Sequence, residues 1–221
     1  MWDSGTILML AKETGMTLYM TLVSTILAYA IGLPMGIFLV ITAKDGLKPN
    51  AVVYKILDAV VNIVRSIPFL ILLMLLIPFT RFVVGKSYGA TATIVPLTAA
   101  AAPFIARLVE SSLLEVDRGV IEAAQSMGAG TGAIVWKVLL AEARTSLIVG
   151  ATIALGTILG YSAMAGAVGG GGLGDVAIRY GYHRYQADIM VVTVVLLIIL
   201  VQILQWIGTR ISKKMDKRIT G

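Results

Sequence analysis

Four short stretches carry residue types that do chemistry elsewhere, and each fails on spacing or surroundings. Gly169-Gly170-Gly171-Gly172-Leu173-Gly174 contains a literal G-x-G-x-x-G. Such a run cradles a dinucleotide only when it follows a strand and opens the helix of a βαβ unit. Here it follows a long apolar segment, so its glycines read as mechanical, ending a helix and letting backbones approach. Gly85-Lys86-Ser87 matches the end of a phosphate-binding P-loop, but the glycine needed five positions earlier is Thr80. No phosphate cradle forms, and any nucleotide must be bound by another chain. Gly160-Tyr161-Ser162-Ala163-Met164 misses the last glycine of a nucleophile elbow. His183 is the only histidine and there is no cysteine, which removes two-histidine and thiolate metal sites; His183 reads as a solvated loop residue. The sequence offers no catalytic residues and no metal set.

The elements that surround these stretches are apolar runs. The chain of 221 residues is 58% hydrophobic and 14% charged, against about 45–50% and about 25% in a soluble domain. Mean hydropathy is +0.91. A helix needs about 20 apolar residues to cross the hydrocarbon core, and five such segments are expected, near 18–41, 56–80, 90–106, 147–167 and 189–207. The first holds Gly32 and Gly36 four apart, a face that allows close helix packing, with Pro34 between them as an alternative source of a kink. The second carries Asp58, Asn62 and Arg65 at its start, with Pro68 and Pro78 bending it. Arg65 either snorkels to the interface or pairs with Asp58. The third, rich in Ala and Thr with Pro96 and Pro103, reads as buried in the bundle. The fourth is thinned by Gly150, Gly156, Gly160 and Gly166, unlike a leucine-rich lipid-facing helix. The fifth, dense in Val, Leu and Ile, faces lipid.

Net charge is +6, but the basic residues sit between apolar runs, as topology signals do, and do not suggest nucleic acid. With the basic tail Arg210–Arg218 inside, thirteen of the eighteen Lys and Arg residues fall in inner segments. The positive-inside rule then places the N-terminus outside, the C-terminus inside, and Gly119–Arg144 in the cytoplasm. No cleavable leader is expected, because the first apolar run is too long for one. The chain therefore reads as one all-α integral membrane domain over 1–221.

Gly119–Arg144 is the longest polar interruption in the middle of the chain. Val120, Ile121, Ala124, Met127 and Gly128 share one helix face, with Glu122, Gln125 and Ser126 on the other. Glu115 and Arg118 are spaced for a surface pair. Gly128-Ala129-Gly130 breaks the helix, Thr131 is placed to cap the next one, and Ile134, Val135, Val138 and Leu139 stripe that second helix. Periodicity alone leaves two readings, a docking element that transmits a push or a connector lying on the membrane surface.

Glu122-Ala123-Ala124, then Gly128, then nine residues to Val138 and the pair Leu140-Ala141 resembles the EAA loop of ABC-importer permeases, EAA-x3-G-x9-I-x-L-P. Val138 stands for the isoleucine and Ala141 for the proline, which removes a rigid turn and predicts a more continuously helical entry to the fourth span. Further blocks are similar to the methionine-uptake subfamily: Asn62–Phe69, Ile77–Arg81, Ile94–Thr98, Ala102–Arg107, Gly160–Met164 and Gly169–Tyr182. The resemblance implies a multi-pass permease of a bacterial inner membrane that moves methionine inward by alternating access. It implies a homodimer, a separate ABC ATPase dimer that binds ATP and Mg, and a methionine-binding lipoprotein on the periplasmic side, with no cofactor on this chain. It assigns ATPase coupling to Glu122, Ala123, Ala124 and Gly128. Met164 is expected as a gate, with packing as its alternative role, and Tyr161 and Ser162 join it as pathway candidates. A permease for another small solute and an ATP-independent carrier are the other readings; the carrier would show intramembrane charge or inverted repeats.

Overall fold

The computed structural model describes residues 3–215; Lys217 and Arg218 of the basic tail lie outside the described residues. Among the described residues all regular structure is helical, with no strand. In order they form α1 (Ser4–Thr42), α2 (Ala51–Ser66), α3 (Phe69–Leu75), α4 (Ile77–Val84), α5 (Ala90–Leu114), α6 (Arg118–Ser126), α7 (Thr131–Ile134), α8 (Leu140–Glu142), α9 (Arg144–Ala165), α10 (Gly172–Val176) and α11 (Ala187–Met215). Four helical stretches, α1, α5, α9 with its continuation to Tyr182, and α11, are long and apolar enough to cross a membrane; α2 with α3 makes a fifth if the pair is one span.

Helix α1 runs well beyond its charge-free stretch. A break in charge marks the bilayer and not the end of a helix, so Lys12 and Glu13 sit within α1. Asp3 caps it, accepting from the Thr6 N–H at 2.9 Å and the Thr6 hydroxyl at 2.8 Å. Those bonds favour the charged form and hold the Asp3 carboxyl below its ordinary value. Pro34 lies within the unbroken helix.

The second span departs from one bent helix. Asn50 caps α2 through its side chain, accepting from the Val52 and Val53 N–H groups at 3.1 Å, so the helix begins five residues before Ile56. It stops at Ile67, whose extended backbone (φ −83°, ψ 124°) is what a following proline demands. Helices α2 and α3 then meet at 104°. Pro78 sits in the first turn of α4, where a missing N–H costs nothing.

Helix α5 is the core. Of its most apolar window 67% is buried, against 11% for α11. Leu97, Ala101, Ile105 and Val109 form the centre of the main cluster. Helix α1 packs along α5 through Gly32 and Gly36. A Cβ at Gly32 would meet the Ala102 carbonyl oxygen at 2.5 Å, and one at Gly36 the Ala106 carbonyl oxygen at 2.6 Å. Helix α11 leaves Val191, Val194, Val195, Ile198 and Ile199 exposed, and the Arg210 guanidinium lies 4.7 Å above the Trp206 ring, an interfacial anchor.

The bundle has two ends. At the glycine end, α1, α5 and α10 begin and α9 finishes. At the basic end, α1 and α5 finish and α9 begins, beside α6 to α8.

Candidate coupling and translocation sites

Helix α6 is short because its caps are local. Asp117 accepts from the Gly119 N–H at 2.6 Å, and the helix closes at Gly128, whose φ of +78° is left-handed. The Ala129 N–H then returns to the Ala124 carbonyl at 3.0 Å. Ala124 is buried and Ile121 half-buried, whereas Glu122, Ala123, Gln125 and Gly128 are exposed. The apolar face is narrower than its sequence stripe: Val120 is exposed and Met127 is 81% exposed. Trp136 is also exposed, at 70%. The sequence reading passed over it, although its place off the Ile134, Val135 and Leu139 stripe is the signal that marks it.

Two local expectations are corrected. Gly130, not Thr131, takes the cap position of α7, and no side chain bonds there. Arg118 lies 3.8 Å from Asp45, both exposed, and not against Glu115. Helix α5 ends at Leu114 and Asp117 starts a new helix, so the two residues do not share one helix face. From Val135 to Leu139 the chain takes a π-helical turn, with the Leu140 N–H on the Val135 carbonyl. Only Ala143 separates α8 from α9, and the Leu147 N–H reaches its carbonyl at 2.9 Å. Where the motif has proline, Ala141 keeps helical backbone.

A charged cluster joins α2 to α5 at the basic end. Asp58 pairs with Arg107, which resolves the choice at Arg65: that side chain is exposed and has no part in the pair. Arg107 also donates to Glu110 at 2.6 Å and to the Asn62 Oδ1 at 2.9 Å, while the Asn62 amide donates to Asp58 at 3.1 Å. Forty-nine residues separate Asp58 from Arg107, too far for local spacing to reveal.

The three pathway candidates on α9 point different ways. The Tyr161 ring stacks on Phe69 with centroids 4.6 Å apart and planes at 5°, bracing α9 against the α2–α3 corner. Ser162 is buried and donates to the Leu159 carbonyl at 2.8 Å, so its hydroxyl is consumed within its own helix. Met164 is 54% exposed. It closes an uncovered stripe of Val149, Ile153, Gly160 and Met164, spaced four, seven and four residues apart on one face. Val149 also lines a cavity of about 660 Å³ at the basic end, walled by Glu115, Asp117, Glu142 and Arg144 and roofed by the Ser112–Ser146 hydroxyl pair at 3.0 Å. The stripe thus runs from a cavity beside α6 to the glycine end.

The glycine run makes no phosphate site. The Gly172 N–H donates to the Glu13 carboxylate at 2.8 Å, and the Leu173 N–H to the Thr17 hydroxyl at 2.8 Å. His183 is exposed, edge-on to Tyr182 at 5.3 Å.

The model of the binding-protein-dependent transport system inner membrane component family matches residues 32–217. The chain belongs to that family. It is therefore a permease, the membrane component of a transport system and not an enzyme. Among its relatives, the probable D-methionine transport system permease protein MetI of Vibrio cholerae is 54% identical over 210 residues, covering 95% of this permease and 93% of the relative. The methionine import system permease protein MetP of Bacillus subtilis is 49% identical over 180 residues, covering 81% of each. A chain of the MetNI methionine ABC transporter, solved in inward-facing conformations, superposes with a TM-score of 0.96 at 49% identity, covering 98% of the permease and 100% of that chain.

Proposed function

We propose that the permease imports methionine as a homodimer, driven by two copies of a separate ATPase that bind ATP and Mg and fed by a binding lipoprotein on the outer side. The near-identity of its backbone with the MetNI chain carries this reading. In it, the basic end faces the cytoplasm and the ATPase docks at α6. Glu122 and Ala123 present that surface, buried Ala124 seats the helix on the bundle with Gly128 at its elbow, and exposed Met127 and Val120 give the partner an apolar grip. A push on α6 reaches α9 through the nearly continuous helix from Thr131 to Ala165. Met164 gates the path: its thioether is flexible and polarizable enough to seal a narrow passage and to repack. Tyr161 holds the outer part of α9 in place through Phe69, and Ser162 shapes the helix from within. A zwitterion carries no net charge, and the stripe that it passes carries none either.

ATP-dependent uptake of labelled methionine by the reconstituted complex, with competing amino acids, tests the assignment; absence of uptake with an active ATPase overturns it. Within that assay Gly128→Val is expected to lower uptake and stimulated ATPase about tenfold, because a β-branched residue resists φ +78°. Glu122→Ala is expected to lower both about threefold by removing one exposed polar contact. Normal rates in both variants, with insertion intact, would remove α6 from the coupling path. Met164→Ala is expected to raise methionine leak through vesicles without ATP by about threefold, the opening left by three lost heavy atoms in a dry seal. Unaltered leak and basal ATPase would return Met164 to packing.

A further inference from the structure

The glycine run is held by its backbone, from residues distant in the sequence. Four long-range bonds fix Gly169–Leu173. The Gly89 N–H donates to the Gly169 carbonyl at 2.9 Å, and the Thr93 hydroxyl points to the Gly170 carbonyl at 3.4 Å. Glu13 and Thr17 of α1 take the Gly172 and Leu173 N–H groups. Gly172 has φ +77°, and a Cβ there would meet the Thr17 hydroxyl at 2.7 Å. The other side of the run lies against the end of α9. The Gly170 N–H bonds the Ala165 carbonyl at 3.0 Å, and a Cβ at Gly174 would collide with the Ala163 backbone. Met164 sits between these two contacts.

We infer that Glu13 is a positioning residue for the gate: its carboxylate anchors the glycine turn at the start of α10 to α1 and so sets where α9 holds Met164. Thr17 seconds it one turn further along α1. The assignment rests on the import reading for the word gate, but the linkage is geometric. A carboxylate is a strong acceptor for a backbone N–H. Glutamine keeps an oxygen at the same reach; leucine keeps only the volume.

The chain lacks cysteine, so Met164→Cys introduces a single reporter. In the assembled complex, the rate of its modification by a membrane-impermeant maleimide is measured alone and combined with Glu13→Leu, Glu13→Gln or Thr17→Val. Glu13→Leu is expected to change the rate about tenfold, the population shift that one charge-assisted hydrogen bond commands. Glu13→Gln is expected to stay within about twofold of the parent, since a neutral hydrogen bond remains. Thr17→Val is the second reporter if Glu13→Leu fails to assemble, with a change of about fivefold. An unchanged rate in Glu13→Leu, or equal changes in Glu13→Leu and Glu13→Gln, overturns the latch. Labelling requires no methionine, so failed uptake by the parent complex would sink the import reading and leave the latch to be judged on its own.

Discussion

Gly36→Val is expected to destabilise the permease by about 3 kcal/mol, at the upper end of what overpacking a tight core costs. A Cβ at Gly36 would meet the Ala106 carbonyl oxygen at 2.6 Å and the Val109 Cβ at 2.7 Å. The first neighbour is backbone in the middle of a buried helix and cannot rotate away. Valine adds two methyl groups beyond that Cβ, so α1 must lift from α5, and the small-residue contact that brings two membrane helices together is lost. Because lipid tails compete equally for apolar surface, close packing is most of what joins this pair. Thermal unfolding of the detergent-solubilised complex measures the loss. Gly36→Ala should fall between the parent and Gly36→Val, and equal stability of all three would show that the seam tolerates a gap.

Arg107→Leu is expected to cost about 2 kcal/mol. Removing one partner of a buried pair leaves the other charge uncompensated, which costs about 3–5 kcal/mol when burial is complete. Here the side chains of Arg107, Asp58 and Glu110 are 21%, 33% and 12% exposed, so solvent screens part of the penalty. The loss has two sources, since both Asp58 and Glu110 lose their cation. Adding Asp58→Asn and Glu110→Gln to Arg107→Leu removes the stranded charges, and stability should recover by more than half. A triple variant no more stable than Arg107→Leu would show that the cluster contributes by specific bonding and not by charge balance. Uptake that follows stability across the series would assign the cluster to the scaffold joining α2 and α5.

The parts of the fold that were legible in the sequence are those set by one-dimensional quantities. Charge-free length marked the four long apolar helices α1, α5, α9 and α11 but not the broken second span, and the four-residue spacing of Gly32 and Gly36 marked the seam that the structure places against α5. Composition separated buried α5 from exposed α11. Other features were wholly or partly out of reach. The Asp58–Arg107 pair and the Glu13–Gly172 bond join residues far apart in sequence, and no local rule selects such partners. The orientations of Tyr161, Ser162 and Met164 were hidden because α9 is apolar around its whole circumference, so periodicity assigns no inner face. The break at Ile67 was half legible: proline predicts a bend, but a corner of 104° also depends on Phe69 finding the Tyr161 ring. At α6 the helix break at Gly128 followed from glycine chemistry. The exposure of Met127 did not, since a stripe records which residues share a face and not how much of it a neighbour covers.

The uncharged stripe on α9 also bears on energetics across the membrane. A fixed charge crossing the bilayer exchanges about 2.3 kcal/mol with each 100 mV of potential. Val149, Ile153, Gly160 and Met164 hold no charge that could move in that field, and the Arg107 cluster is bound between α2 and α5. A zwitterion following the stripe transfers no net charge. On the proposed route transport is expected to be electroneutral, so the membrane voltage neither helps nor opposes it. In that reading the work of concentrating substrate falls wholly on the nucleotide of the proposed ATPase.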